Sequence, residues 1–443
     1  MTRGPEHDPT ERPSSAGERD DLTRRVNALL EERGVRFGGA DGHPFRADPV
    51  PRTLLADAWE RLSVGLAQRI RAHDAFVADV YGRRACVEDG VVPSHVLDAT
   101  PYLERDLHGS APQAGAWISL AGFDVVRDAD GALLVLEDNV RTPSGMAYAA
   151  AVSEAVSEVL DVEPPAATAA GLAEVTAALR RCLEATNPGA SGALVLLTDG
   201  PDNSAYYEHQ RLAEEAGLVL AVLDDLVPDG DGLRLADGTS VRAVYRRTEQ
   251  DGLDPEGREP GADVAARLLG PWRAGHVGMV NCFGTGVADD KSVYAHVDDM
   301  VRFYLDEEPR IPSVPTYDLS DRDRLTEALD RLGELVAKPR DGAGGAGVVI
   351  GPTASEAELD ATRDAMRAEP LRWIVQDVVS LSTQPAIVDG VVQPRHVDLR
   401  PFVFFDGQDV TVPMGGLTRV AMEEGEMVVN SSRDGGAKAT WVD

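Results

Sequence analysis

A chain of 443 residues, 43% of them apolar, is long enough for about three domains of ordinary size and too rich in core formers to be mostly disordered. Its 43 basic and 75 acidic residues leave a net charge of −32, which repels nucleic acid and anionic membranes at long range. No apolar run approaches the roughly 20 residues that cross a bilayer, and the N-terminus lacks the apolar stretch of a secretory signal.

The elements follow in order. Residues 1–20 read as a disordered tail, and residues 22–33 have helical periodicity that stops at Gly34. From 56 to 80, Trp59, Leu62, Leu66, Ile70, Phe76 and Val80 recur at three- and four-residue spacing, a long amphipathic helix. Residues 117–139 have strand texture around a turn at 128–131; a helix over 146–160 and a Pro-rich linker at 163–165 follow. A second unit alternates strands (194–200, 218–223, 241–247) with a helix over 204–216, the pattern of a parallel α/β layer. The third, from about 311, is rich in β hairpins. Cys86, Cys182 and Cys282 are too few and too scattered for a disulfide framework or a zinc site. The histidines show no metal-ligand spacing, and nothing pairs Cys282 with a base. A soluble, cytoplasmic protein fits, without nucleic-acid or membrane partners; its oligomeric state is not legible.

Only three of the basic residues are lysine: Lys291, Lys338 and Lys438. A lysine that persists in an arginine-dominated chain points to a need for a compact ammonium. All three fall in motifs. In the first hairpin, a turn at 128–131 sets Asp124 opposite Glu137, with Asn139 further along the same face. Two acids so placed repel unless a cation lies between them, and magnesium suits two carboxylates and an amide oxygen. A solvent-facing acidic hairpin is the plain alternative, which the apolar flank at 133–136 disfavours. Arg141, Ser144 and Gly145 then lead into a helix; Ser144 is a plausible N-cap, and the helix start with Arg141 makes either an anion pocket or a simple cap.

Lys338 precedes a loop in which Gly342, Gly344 and Gly347, with Gly345 between, satisfy G-x-G-x-x-G. A strand rather than a helix follows, so this is neither a dinucleotide fingerprint nor a P-loop. A glycine loop between antiparallel strands can fold its N–H groups over a triphosphate, with Lys338 supplying charge. Residues 373–379, with Gln376, Asp377, Val378 and Val379, read as an edge strand whose backbone can pair with an adenine edge. His396, Asp398 and Arg400 share a strand face, and Arg419, Asn430, Arg433 and Lys438 crowd a glycine-rich end that marks a local anion site. Residues 288–291, with Asp289, Asp290 and Lys291, start a helix expected to run to 304, the acids favouring its N-terminus.

Together these pieces resemble the ATP-grasp superfamily, in the order of its circularly permuted, glutathionylspermidine synthase-like branch. Asp124 followed thirteen residues later by Glu137-x-Asn139 matches the metal hairpin that closes an ordinary member such as D-alanine–D-alanine ligase, yet here it lies early in the chain. LEDNVRTPSG (136–145), GVADDK (286–291), HVDLRPFV (396–403) and GGLTRVA (415–421) carry the likeness, which covers roughly 45–443. It implies an α/β and α+β fold: a Rossmann-like pre-ATP-grasp layer (166–310), and two α+β lobes clamping ATP, one from 21–165 bearing the metal hairpin and one from 311–443. It further implies ATP phosphates on Lys291 and Lys338 under Gly342, Gly344, Gly345 and Gly347, adenine at 376–379, and Mg2+ on Asp124, Glu137 and Asn139. Arg400, Asn430, Lys438 and Arg141 are then candidates for triphosphate or acyl-phosphate contacts, and Arg246, Arg247, Ser144 and Gly145 for the substrate. The implied reaction joins a small-molecule or peptide carboxylate to an amine through an acyl phosphate. A phosphotransferase and a non-catalytic nucleotide binder are the rivals.

Overall fold

In the computed structural model, which describes residues 15–39, 42–248, 262–340, 342, 346–423, 425 and 435–443, the first helix begins earlier than periodicity predicts. Helix α1 (Ala16–Glu32) is capped by Ser15, whose hydroxyl accepts from the Glu18 N–H while Glu18 reaches back. This capping box draws residues 16–20, expected in the tail, into the helix. Strand β1 (Arg52–Leu54) leads into α2 (Ala56–Tyr81), which buries its predicted apolar stripe. Strands β2 (Leu120–Arg127) and β3 (Leu133–Asn139) form the expected hairpin with Asp124 directly opposite Glu137; one residue further the register shifts, so Val125 faces Val135. Helix α3 (Met146–Leu160) follows.

The α/β layer contains α4 (Gly171–Thr186), β4 (Ala193–Leu197), α5 (Tyr206–Ala216), β5 (Val219–Ala221), β6 (Val241–Arg246) and β7 (Gly278–Val280). Its four strands are parallel in the order β7-β6-β4-β5. The single helix expected from 288 to 304 is broken into turns at Gly286–Asp289 and Lys291–Tyr294 and then α6 (Val297–Leu305). Asp290 makes the break by leaving helical geometry to cap the turn that Lys291 opens.

Strands β8 (Thr316–Asp318), β9 (Leu335–Pro339) and β10 (Val349–Ile350), helix α7 (Glu356–Ala368) and strand β11 (Trp373–Asp377) build an antiparallel sheet in the order β8-β11-β9-β10. Strand β11 is therefore interior, with Gln376 between Thr316 and Val336, and not the edge strand expected at 373–379. It ends at Asp377. Val378 and Val379 run on as irregular chain, and neither donates its N–H to another described residue.

The remaining strands are β12 (Thr383–Val388), β13 (Val391–Arg400), β14 (Phe402–Phe405), β15 (Val410–Thr411), β16 (Leu417–Val420), β17 (Gly436–Lys438) and β18 (Thr440–Val442). Strand β2 inserts between β14 and β13 in an eight-stranded sheet ordered β15-β14-β2-β13-β16-β17, with β3 on β2 and β12 on β13. The early hairpin is thus built into a sheet of late strands, and the segment expected as one lobe from 311 divides near 378–382. One core joins α2 to this sheet and to the α/β layer around Trp117, Tyr81 and Trp272. Among the described residues no helix is long and apolar enough to cross a membrane.

Candidate active site

Alternation along β13 puts Asp398 and Arg400 on one face, and antiparallel pairing sets Arg419 of β16 across from Asp398. The Arg400 guanidinium donates to both Asp124 oxygens, at 2.6 Å and 2.9 Å, and Arg419 Nη2 donates to Asp124 Oδ2 at 2.7 Å. Arg419 Nε also donates to Asp398 Oδ1 at 2.9 Å. Gly122 makes room for this: a Cβ there would lie 3.3 Å from the Arg400 Cδ. Burial alone would raise the Asp124 pKa, but the guanidiniums of Arg400 and Arg419 hold it well below the usual carboxylate range. At Asp398 burial wins over Arg419 and the pKa is raised.

Glu137 has a different partner. Its Oε1 lies 2.8 Å from Lys291 Nζ, which also donates to the Gly342 carbonyl at 2.6 Å. Lys338, on β9, is buried, and no hydrogen bond or ion pair joins its ammonium to another described residue. Burial pushes its pKa down to about 8, Glu137 opposing and Lys291 adding to the fall. Glu137, Lys291, Lys338, Asp289, Tyr294 and Gln376 line a cleft that bounds about 280 Å³. The Gln376 side chain donates to the Leu136 carbonyl at 3.3 Å, and its buried Oε1 has no partner among the described residues. The hairpin, the Lys291 turn and the β9–β11 sheet therefore meet at one place.

Residues behind the hairpin fix it. Asp138 accepts both arms of the Arg69 guanidinium, at 2.7 Å and 2.8 Å, and lies 2.8 Å from His73 Nε2. Arg69 also reaches the Ser313 hydroxyl at 2.8 Å. The sequence reading missed this contact, although Arg69 and His73 are polar residues on the buried stripe of α2, which is a readable signal.

The loop before α3 differs from expectation. Gly145, not Ser144, is the N-cap, and the anion at the helix start is the chain's own Glu208. Glu208 is fully buried and accepts from the Ser144 hydroxyl at 2.8 Å, Gly145 N at 2.9 Å and Ala147 N at 3.0 Å. Arg247 closes the group through the Pro143 carbonyl and the Ser144 hydroxyl, at 2.5 Å and 3.1 Å. The helix start expected, with Arg141, to make an anion pocket is thus filled by an internal carboxylate, and Arg247, expected at the substrate, faces that carboxylate. Arg246 is buried over the Phe283 ring at 5.0 Å. Arg141 lies over Tyr102 at 5.1 Å, with its Nε 3.8 Å from Asp289. Lys438 is not brought to the cleft: its ammonium is buried on the Asp48 carboxylate and on the Val50 carbonyl at 2.7 Å. Gly347 turns with φ 72° against Pro339. Gly344, Gly345 and Asn430 lie outside the described residues.

A magnesium ion fits this donor set chemically. Glu137 and Asn139 present a carboxylate and an amide side chain on adjacent same-face positions, the oxygen chemistry that magnesium takes. Asp124 stands opposite, already neutralised by its two arginines. Among the described residues no group of three or more His, Cys, Asp or Glu forms a metal cluster, so an ion here would rest on a mixed carboxylate–amide set.

A family model described as "Circularly permuted ATP-grasp type 2" matches residues 51–421. A Frankia alni protein provisionally named glutamate–cysteine ligase 2-3 is 44% identical over 436 residues, which cover 96% of this chain and 50% of that protein. A Frankia casuarinae protein provisionally named glutamate–cysteine ligase 2-2 is 42% identical, again with 50% of its length covered. The chain thus spans about half the length of these relatives. Among solved structures, a glutathione synthetase-like effector from Globodera pallida in its apo form superposes with a TM-score of 0.64 at 10% identity, over 97% of this chain and 98% of that one. At that identity the likeness is one of fold.

Proposed function

Because the chain belongs to the circularly permuted ATP-grasp type 2 family, we propose that it is an ATP-dependent ligase that joins a carboxylate to an amine through an acyl phosphate. One observation carries this reading: Glu137 of the early hairpin and Lys291, Lys338 and Gln376 of later segments line a single cleft. The names of the Frankia relatives support an amino-acid or peptide carboxylate as the substrate class.

In this reading Lys291 and Lys338 offer ammonium charge to the phosphates, and Gly342 and Gly347 carry the loop that covers them. The interior strand β11 positions Gln376 and Asp377, and the N–H groups of Val378 and Val379 face the adenine edge. Glu137 and Asn139, with Asp124 behind, would hold magnesium, whose charge offsets that of the phosphates when bound. Arg400 and Arg419 orient Asp124 and present guanidinium charge where the acyl phosphate forms; Arg141, at the mouth of the next loop, is the substrate-side cation. A carboxylate oxygen bonds to the γ-phosphorus as the bond to ADP breaks. The amine nitrogen then bonds to the acyl carbon, phosphate leaves, and the amine proton passes to solvent. Catalysis is positioning and charge stabilisation, and no protein nucleophile is required.

The test is ADP release by the purified protein with a panel of amino-acid and peptide carboxylates, each with and without amines. Release that needs both, with amide product, is expected. Release that ignores the amine and leaves a stable phosphorylated product would make the protein a phosphotransferase instead.

A further inference from the structure

Arg52 is 2% exposed, yet among the described residues its guanidinium makes one hydrogen bond, from Nη1 to the Asp398 carbonyl at 3.3 Å, and its Nε has no partner. No carboxylate pairs with it among the described residues. Arg127 at the end of β2 is half-buried, and among the described residues no hydrogen bond or ion pair engages its side chain. In a chain with 75 acidic residues, two arginines with no carboxylate in contact among the described residues are conspicuous, because a buried charge is retained at a cost unless something neutralises it.

The strands bring the two together. Val125 pairs with Leu399, so residue 127 lies alongside the part of β13 whose Asp398 carbonyl holds Arg52. Arg127 is two residues beyond Val125 and leaves the face of β2 opposite to Asp124. Burial, and then the charge of Arg127, push the Arg52 pKa down to about 10, with the Asp398 carboxylate opposing them. Ser382 adds a donor: its N–H is bonded to the Arg127 carbonyl at 2.8 Å, while its buried hydroxyl has no partner among the described residues. The neighbouring Lys438 is already neutralised by Asp48, so the unmet charge belongs to the two arginines.

We propose that Arg52 and Arg127, with the Ser382 hydroxyl, form a binding site for a doubly charged oxyanion, of which a phosphate group is the simplest. It enters past half-exposed Arg127, on the other face of the sheet from the Asp124 cluster. Two guanidiniums match two negative charges, and planar donors suit a tetrahedral oxyanion. The site does not depend on the ligase reading.

The experiment is a titration of the full chain with inorganic phosphate, glycerol phosphate and acetate at constant ionic strength, followed by thermal unfolding and calorimetry. Phosphate is expected to raise the unfolding midpoint saturably and acetate is not. A response to the ester as well identifies a phosphate carried on a larger molecule; a response to the free ion alone identifies inorganic phosphate. Arg127→Gln should weaken phosphate at least about tenfold, the worth of one charge-assisted hydrogen bond. Arg52→Gln should abolish the response without lowering the midpoint of the ligand-free protein, since it removes an unneutralised charge. Lys338→Gln, in the cleft, should leave the response intact, which separates this site from the nucleotide site. Acetate matching phosphate, Arg127→Gln responding like the parent, or loss of ligand-free stability in Arg52→Gln would each overturn the proposal.

Discussion

Glu137 and Asp138 are neighbours on β3, and their side chains leave opposite faces of the hairpin into different company. The Asp138 side chain is 1% exposed and held by Arg69 and His73; that of Glu137 is 32% exposed and meets one ammonium, Lys291. Every oxygen of the first is matched by donors from α2, so that face is a joint between helix and sheet. The second opens on a cleft with a lysine to spare. The difference teaches how to sort these two neighbours: the fully answered carboxylate holds the frame, and the under-answered one faces the cleft.

The largest effect should come from the answered face. Asp138→Asn leaves Arg69 and His73 buried without their anion, and breaking a buried pair in this way costs about 3–5 kcal/mol. Urea unfolding measures it, and a loss below about 1 kcal/mol would mean that Asp138 is no joint at all. Glu137→Gln should do the reverse. Its half-open position predicts a stability change within about 1 kcal/mol, together with a fall in turnover of about a hundredfold or more, as for loss of one preorganised charge at a reacting phosphate. Nucleotide binding should persist in part. Unimpaired turnover in that variant would remove Glu137 from the site.

How far these assignments were legible varies with the kind of signal. The pairing of Asp124 with Glu137 followed from a turn and a period of two, because hairpin register is a local property. The meeting of the early hairpin with the late lysines came through the likeness of motif order to a permuted family, since no local rule joins residues 137 and 338. The partners of Asp124 were harder: Arg400 and Arg419 were visible as basic groups, but their choice of acid depends on β2 entering between β14 and β13, a non-local event. Strand β11 was misplaced at an edge because burial on both sides is set by β8 and β9, which lie far from it in sequence. Glu208 escaped notice altogether. A free helix start at Gly145 invites a ligand on sequence grounds, and only the packing of α5 against α3 shows that the anion is already supplied.

Lys338 gives the finest test of the contrast, because it is a buried cation with no acid in contact among the described residues. Its pKa in the folded protein lies near 8, below that of free lysine, since burial disfavours the charged form. The ammonium is the form that attracts phosphate, so ATP affinity should be fullest below that value and weaken as pH rises through it. Between pH 7 and pH 9 the protonated fraction of a group titrating near 8 falls about tenfold, and the affinity of the wild type should follow within that limit. Bound phosphate raises the pKa of the ammonium in the complex, and the size of that rise sets how far the affinity falls before it levels off. Lys338→Arg keeps its charge throughout this range and should show a flat profile, even if its geometry binds ATP less well. Affinity measured by calorimetry across pH separates the two. A wild-type profile as flat as that of the arginine variant would show that Lys338 has an anionic partner close at hand, and that the two sides of β3 differ less than their contacts imply.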